Sequence, residues 1–156
     1  MNIALAYNLK KEDSAKPFDY FSEYDSAGTI DAISRALKNR GHNVEAIDAA
    51  CPQIYSYFKK SSPDMVFNIA EGARGRLRES RLPAMLEYLK IPYTGSGFFA
   101  LALAMDKALA KKVLKGENIP TPRFQLFTKG GEDLDPDLKF PLIVKPNCEG
   151  SSKGIN

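Results

Sequence analysis

Apolar residues run without a break from Ile3 to Tyr7 and return in short stretches at Val44–Ile47, Met65–Ile69 and Ile91–Thr94. A continuous apolar run of this kind reads as a strand buried on both faces, which is the situation of a strand inside a parallel sheet. Between these stretches the spacing changes to helical. Ile30, Ile33, Ala36 and Leu37 fall on one face, Leu82, Met85, Leu86 and Leu89 on another, and Ile54, Tyr55, Tyr57 and Phe58 form a short aromatic helix after Pro52. Asp25 or Ser26 supplies the cap of the first helix and Gly41 its stop. Strand and helix in strict alternation predict a doubly wound parallel α/β layer with four strands. Ligands of such layers sit beyond the carboxyl ends of the strands, so the working edge falls at residues 68–75 and 94–97.

The pattern loosens after residue 95. Residues 95–100 fit G-x-G-x-x-A in form, but they follow the fourth strand rather than the first, so they read as a hinge and not as a dinucleotide fingerprint. Asp106 can cap a helix carrying Ala108, Leu109, Val113 and Leu114. Lys107 falls in its first turn, where a cation opposes the helix dipole and asks for a reason other than stability. A turn at 117–122 precedes a strand at Phe124–Phe127. The acidic run at 132–137 fails as a calcium loop, because Leu138 and Val144 stand where glycine and glutamate are needed, and it reads as a solvated turn. Leu142–Val144, between Pro141 and Pro146, reads as a short buried strand.

At 156 residues the chain accommodates one core, or one domain and a piece of another, and 44% hydrophobic and 26% charged residues place it among globular proteins. A net charge of +3 without a basic stripe argues against a nucleic-acid partner. The strand pattern starts at once, with no leader-like segment and no stretch of membrane-spanning length, so a cytosolic protein without a membrane partner is expected. Cys51 and Cys148 make no metal or disulfide pattern and read as reduced thiols. His42 reads as a solvated residue just past a helix end.

The candidate chemistry lies near the C-terminus, where the apolar run at Leu142–Val144 ends on Lys145 and opens into Glu149-Gly150-Ser151-Ser152-Lys153-Gly154. Glycines let backbone N–H groups converge on a polyphosphate, the hydroxyls of Ser151 and Ser152 add donors, and an ammonium at Lys145 adds a compact charge. An ordinary surface turn after a strand is the other reading. Neither a Walker loop nor a dinucleotide fingerprint after the first strand is present. Arg74, Arg76, Arg78 and Arg81 follow the third strand; they suit either a solvated face or the recognition of a carboxylate or phosphate.

Val144-Lys145-Pro146 with 149–152, together with Ile91–Gly97 and Met105–Ala108, resembles the D-alanine–D-alanine ligase family of the ATP-grasp superfamily, and the stretches occur in family order. The resemblance implies an α/β pre-ATP-grasp domain over 1–95 and the beginning of an ATP-grasp nucleotide-binding domain over 96–156. It implies a ligase that joins a carboxylate to an amine through an acyl phosphate, with ATP and magnesium, in peptidoglycan biosynthesis. By match of motif, Lys107, Lys145, Glu149, Gly150, Ser151, Ser152 and Gly154 would meet ATP. The amino-acid side departs from the family: Glu71-Gly72 replaces a His-Gly pair, Gly75-Arg76-Leu77-Arg78 replaces Gly-Glu-Asp-Gly, and a family glutamate ahead of the first helix aligns near Tyr24, with Glu23 and Asp25 only as neighbours. Tyr24, Glu71, Gly72 and Arg76 are therefore the residues expected to face a small amino-acid or peptide substrate. Magnesium carboxylates are expected beyond residue 156, which makes the chain alone an inactive fragment, expected either to pair as a homodimer through unpaired strands or to be disordered beyond about Lys145. The competing class is a non-catalytic α/β module that binds a ligand or a protein.

Overall fold

The computed structural model describes residues 1–11, 13–72 and 74–155. It is an α/β structure built on a parallel sheet. Strand β1 (Asn2–Tyr7) lies in the centre, flanked by β2 (Asn43–Asp48) and β3 (Met65–Asn68), both parallel to it, in the order β2-β1-β3. Helix α1 (Ala27–Asn39) connects β1 to β2, and α2 (Ile54–Ser61) connects β2 to β3. Ser26 closes α1 with its hydroxyl, accepting the Thr29 N–H at 3.1 Å, and Gly41 follows the helix at φ +82°.

Alternation along β1 divides the core. Ala4 and Ala6 pack with Phe58 of α2, Val66 of β3, and Leu82 and Leu86 of α3 (Arg81–Tyr88). Leu5, on the opposite face, packs with Ile30 of α1 and Val44 of β2. Helices thus cover both faces of the sheet, which is why β1 is apolar at every position from Ile3 to Tyr7.

Three expectations are corrected. Ile91–Thr94 makes a single parallel bridge, Tyr93 to Val66, in place of a full strand; Val66 N–H donates to Pro92 O at 2.8 Å and Thr94 N–H to Val66 O at 3.0 Å. Pairing there stops because the Asn68 N–H turns to the Thr94 hydroxyl, at 2.9 Å, instead of a backbone carbonyl. The hinge expected at 95–100 runs into helix α4 (Phe98–Met105). Its sequence, FFALALAM, is apolar on every side, so no periodic face announces a helix. Phe124–Phe127 and Leu142–Val144 form no strand, and the second is not buried, with Ile143 66% and Val144 85% exposed. Both have strand-like composition, but among the described residues no neighbouring strand pairs with them, and a strand needs a ladder.

Helix α5 (Lys107–Gly116) follows α4 directly. Asp106 caps it as expected, its Oδ1 accepting the Leu109 N–H at 3.0 Å. Among the described residues no helix is long and apolar enough to cross a membrane.

Candidate active site

The carboxyl ends of β1 and β3 meet through Asn8. This fully buried side chain accepts the Gly72 N–H on Oδ1 at 2.7 Å, while its backbone carbonyl accepts the Asp25 N–H at 2.9 Å. One residue therefore fixes the loops that leave β1 and β3. Gly72 sits at φ +78°, and a Cβ there would lie 2.4 Å from the Arg78 carbonyl oxygen, so only glycine lets the loop fold back onto Arg78. Ala73, within the edge expected at 68–75, lies outside the described residues.

Arg78 is buried and ties three segments together. Its Nε donates to Glu23 Oε2 at 3.1 Å and its Nη2 to Glu23 Oε1; Nη1 reaches the Cys148 carbonyl at 3.0 Å, and Nη2 also reaches Glu149 Oε2 at 3.2 Å. Glu23 Oε1 accepts a further bond from the Gly150 N–H at 2.7 Å. A Cβ on Gly150 would stand 2.7 Å from that same oxygen, which explains a glycine at the start of the loop. Two more contacts seat the loop on residues 19–25: Gly154 N–H donates to Asp19 Oδ2 at 2.8 Å, and the Lys153 ammonium lies 5.4 Å from the centre of the Tyr20 ring.

Two cavities share this loop. The smaller, of about 130 Å3, is lined by Lys107, Lys145, Gly150, Ser151 and Ser152, among others. Residues at the start of α5, after the apolar run and in the serine loop thus converge on one space. Lys107 Nζ is engaged by the carbonyl oxygens of Glu149 and, at 3.5 Å, Asn147. Asn147 also occupies first-turn amides of α5: its carbonyl accepts the Lys107 N–H at 3.1 Å and its Oδ1 the Ala108 N–H at 2.9 Å. Lys145 is exposed and makes no hydrogen bond or ion pair with the described residues. Ser151, Ser152 and Gly154 all adopt positive φ, so the loop curls tightly; Gly154 lies against Pro146 and does not line the cavity.

The larger cavity, of about 330 Å3, lies on the other side of the loop. Tyr24, Gly72 and Arg76 line it, with Arg74, Arg78 and Glu149. Glu71 does not. Its carboxyl group is half-buried and hydrogen-bonded to that of Glu79; burial first, then the charges of Glu79, Glu23 and Asp25, push its pKa up to about 7. Arg76 reaches across to Asp106 Oδ2 at 2.8 Å. Asp106 stays below the ordinary carboxylate range, chiefly through the Leu109 N–H, then the Asn147 side chain and Arg76. Cys148 lines the same cavity, its sulfur 4.0 Å from Asp106 Oδ2.

Sequence reasoning missed Asn8, Glu23 and Arg78 as organising residues. Tyr24 was favoured through its alignment, while the acid one position earlier is the one that meets the loop. Arg78 looks like its neighbours in the arginine run, and only the fold separates a buried guanidinium from exposed ones.

No family model matches the chain. The D-alanine–D-alanine ligase of Caulobacter vibrioides is 42% identical over 124 residues, 80% of this chain and 37% of the relative. That of Carboxydothermus hydrogenoformans is 38% identical over 138 residues, 83% of this chain and 43% of the relative. Among solved structures, the D-alanine–D-alanine ligase of Bacillus anthracis superposes over the whole chain with a TM-score of 0.73 at 29% identity, and its complex with ATP over 95% with a TM-score of 0.68 at 28% identity. The chain covers 48% of the Bacillus anthracis protein in either structure, so it spans less than half the length of these relatives. In sequence and in fold, the chain matches the N-terminal portion of the D-alanine–D-alanine ligase family.

Proposed function

We propose that the chain is the N-terminal part of an ATP-dependent carboxylate–amine ligase that forms a peptide-type bond through an acyl phosphate. Residues 1–95 form the pre-ATP-grasp domain of this reading and 96–156 the start of the nucleotide-binding domain. The observation that carries it is the convergence of Lys107 and Lys145 with Gly150, Ser151 and Ser152 around one small cavity. About 130 Å3 is well below the roughly 300–1,000 Å3 of pockets that enclose a whole small-molecule ligand, and it suits the phosphate end of ATP. Lys145 supplies an uncommitted ammonium. Lys107, already on two carbonyls, holds the loop in place and keeps a donor for a phosphate oxygen. Preset cations and loop amides of this kind stabilise charge as it moves between phosphoryl oxygens.

Glu149 lines the same small cavity and fixes the loop to Arg78 and Lys153, while Gly154 acts one step back by turning the loop over Pro146. Tyr24, Gly72 and Arg76 face the amino-acid or peptide substrate in the larger cavity, whereas Glu71, which does not line it, has no direct contact with that substrate in this reading. Magnesium is part of the chemistry of this reading, yet among the described residues no group of three acidic, histidine or cysteine side chains is placed to hold a metal. The exposed strand-like segment at 142–144 would gain its ladder from the further length that the relatives possess.

The test is coupled ADP release by the purified chain, with D-alanine and other amino acids supplied in turn. The expected result is no amino-acid-dependent turnover. ADP formation that depends on an amino acid would mean that the chain carries a full catalytic set and would overturn its reading as one part of the enzyme.

A further inference from the structure

The larger cavity is lined by four cations, Arg74, Arg76, Arg78 and Lys153, and by two carboxylates, Glu23 and Glu149, with Asp106 directly behind Arg76. Each carboxylate is already committed. Glu23 takes two bonds from Arg78 and one from Gly150 N–H; Glu149 takes Arg78 and Lys153, each at 3.2 Å; Asp106 takes Arg76, Asn147 and the Leu109 N–H. Glu71 and Glu79 are joined to each other and do not line the space. Arg74 is left as an exposed guanidinium with no ion pair to the described residues.

This arrangement opposes an arriving ammonium. To bind Glu23, an amine would have to displace a buried guanidinium and leave it without its counter-charge, which is among the costlier things to do inside a protein. A carboxylate displaces nothing, because the planar fork of Arg74 is free to receive both of its oxygens. At about 330 Å3 the space matches an amino acid or a very short peptide.

We infer that the larger cavity selects a ligand of net negative charge, an amino acid or short peptide bearing a carboxylate beyond its α-carboxyl group, with Arg74 as the residue that determines this preference. Identifying the cavity as the amino-acid site rests on the ligase reading; the charge preference rests on the ion pairing alone.

The experiment is calorimetric titration of the chain with glutarate, D-glutamate, 1,5-diaminopentane and inorganic phosphate, repeated with Arg74→Gln and Arg74→Lys. Glutarate and D-glutamate should bind and the diamine should not. Arg74→Gln should weaken the two carboxylate ligands about tenfold or more, with Arg74→Lys recovering part of the loss. Arg74 is exposed, so neither substitution disturbs the core. Equal glutarate affinity in wild type and Arg74→Gln, binding of the diamine, or an Arg74 effect confined to phosphate would each overturn the inference. ATP titrated into Lys145→Met separates the two readings: ATP affinity that is insensitive to Lys145, beside glutarate affinity that depends on Arg74, removes the nucleotide site and leaves the cavity's preference standing.

Discussion

Arg78 grips the carboxylate of Glu23 at both oxygens, and the two side chains are only 6% and 5% exposed. The pair joins the loop after β3 to the loop before α1, and through Cys148 and Glu149 it extends to the serine loop. Removing one member of a buried pair strands the other charge and typically costs about 3 to 5 kcal/mol. Arg78→Met should therefore lower urea stability by an amount in this range, and Glu23→Gln/Arg78→Met by less than Arg78→Met alone. A double variant as unstable as the sum of the two single changes would show that the two groups do not act as a pair.

Gly72→Ala should destabilise the fold more than any other Gly→Ala change at the sheet edge. The φ of +78° alone costs a residue with a Cβ about 1 to 3 kcal/mol, and the approach to Arg78 O at 2.4 Å adds to it. The denaturant midpoint measures this, and a shift smaller than that of Gly95→Ala, where φ is +98° and no atom lies within 4 Å, would contradict the close approach.

The layer was legible because its physics is local. The unbroken apolar run of β1, the Ser26 cap and the stop at Gly41 each declare themselves within a few residues, and the convergence of Lys107 with Lys145 followed from matching short motifs in order. What stayed hidden depends on distant partners. FFALALAM carries no amphipathic period, Leu142–Val144 has the composition of a strand but no ladder, and Glu23 becomes an organising residue only once Arg78 is placed against it. No one-dimensional pattern ranks Arg78 above Arg74, although the fold buries the first and leaves the second exposed.

Glu71 gives the chain a pH dependence of definite sign. Its folded pKa, about 7, lies above that of an unfolded glutamate, so the native state holds an extra proton between these values. The associated stability is complete below the unfolded pKa, near 4.5, and is lost as pH rises through about 7. Glu79, raised by the same burial, adds in the same direction. Glu71→Gln should flatten the stability profile between pH 5 and 8, as read by thermal melts at intervals across roughly that range, and should be more stable than wild type at the alkaline end. A wild-type profile that rises with pH there, unaltered by the substitution, would contradict this origin.

Opening the serine loop at its first residue should be felt at the smaller cavity, the proposed phosphate site. Gly150→Ala brings a methyl group to 2.7 Å from Glu23 Oε1 and pushes the loop off its seat. The expected result is weaker ATP binding together with faster amide exchange at residues 150–154, both partly relieved by shortening the acid in Glu23→Asp/Gly150→Ala. Exchange and affinity equal to wild type in Gly150→Ala would show that the seat does not control the loop.

The central claim is that Lys145 and the serine loop hold the phosphates of ATP, and calorimetric titration of ATP into the chain and its Lys145→Met variant tests it most directly. Loss of a charged hydrogen bond costs about 1.5 to 3 kcal/mol, which predicts affinity lower by roughly ten- to a hundredfold with the fold unchanged, since Lys145 is exposed. Equal ATP affinity in the two proteins would contradict the assignment and return the loop to an ordinary turn.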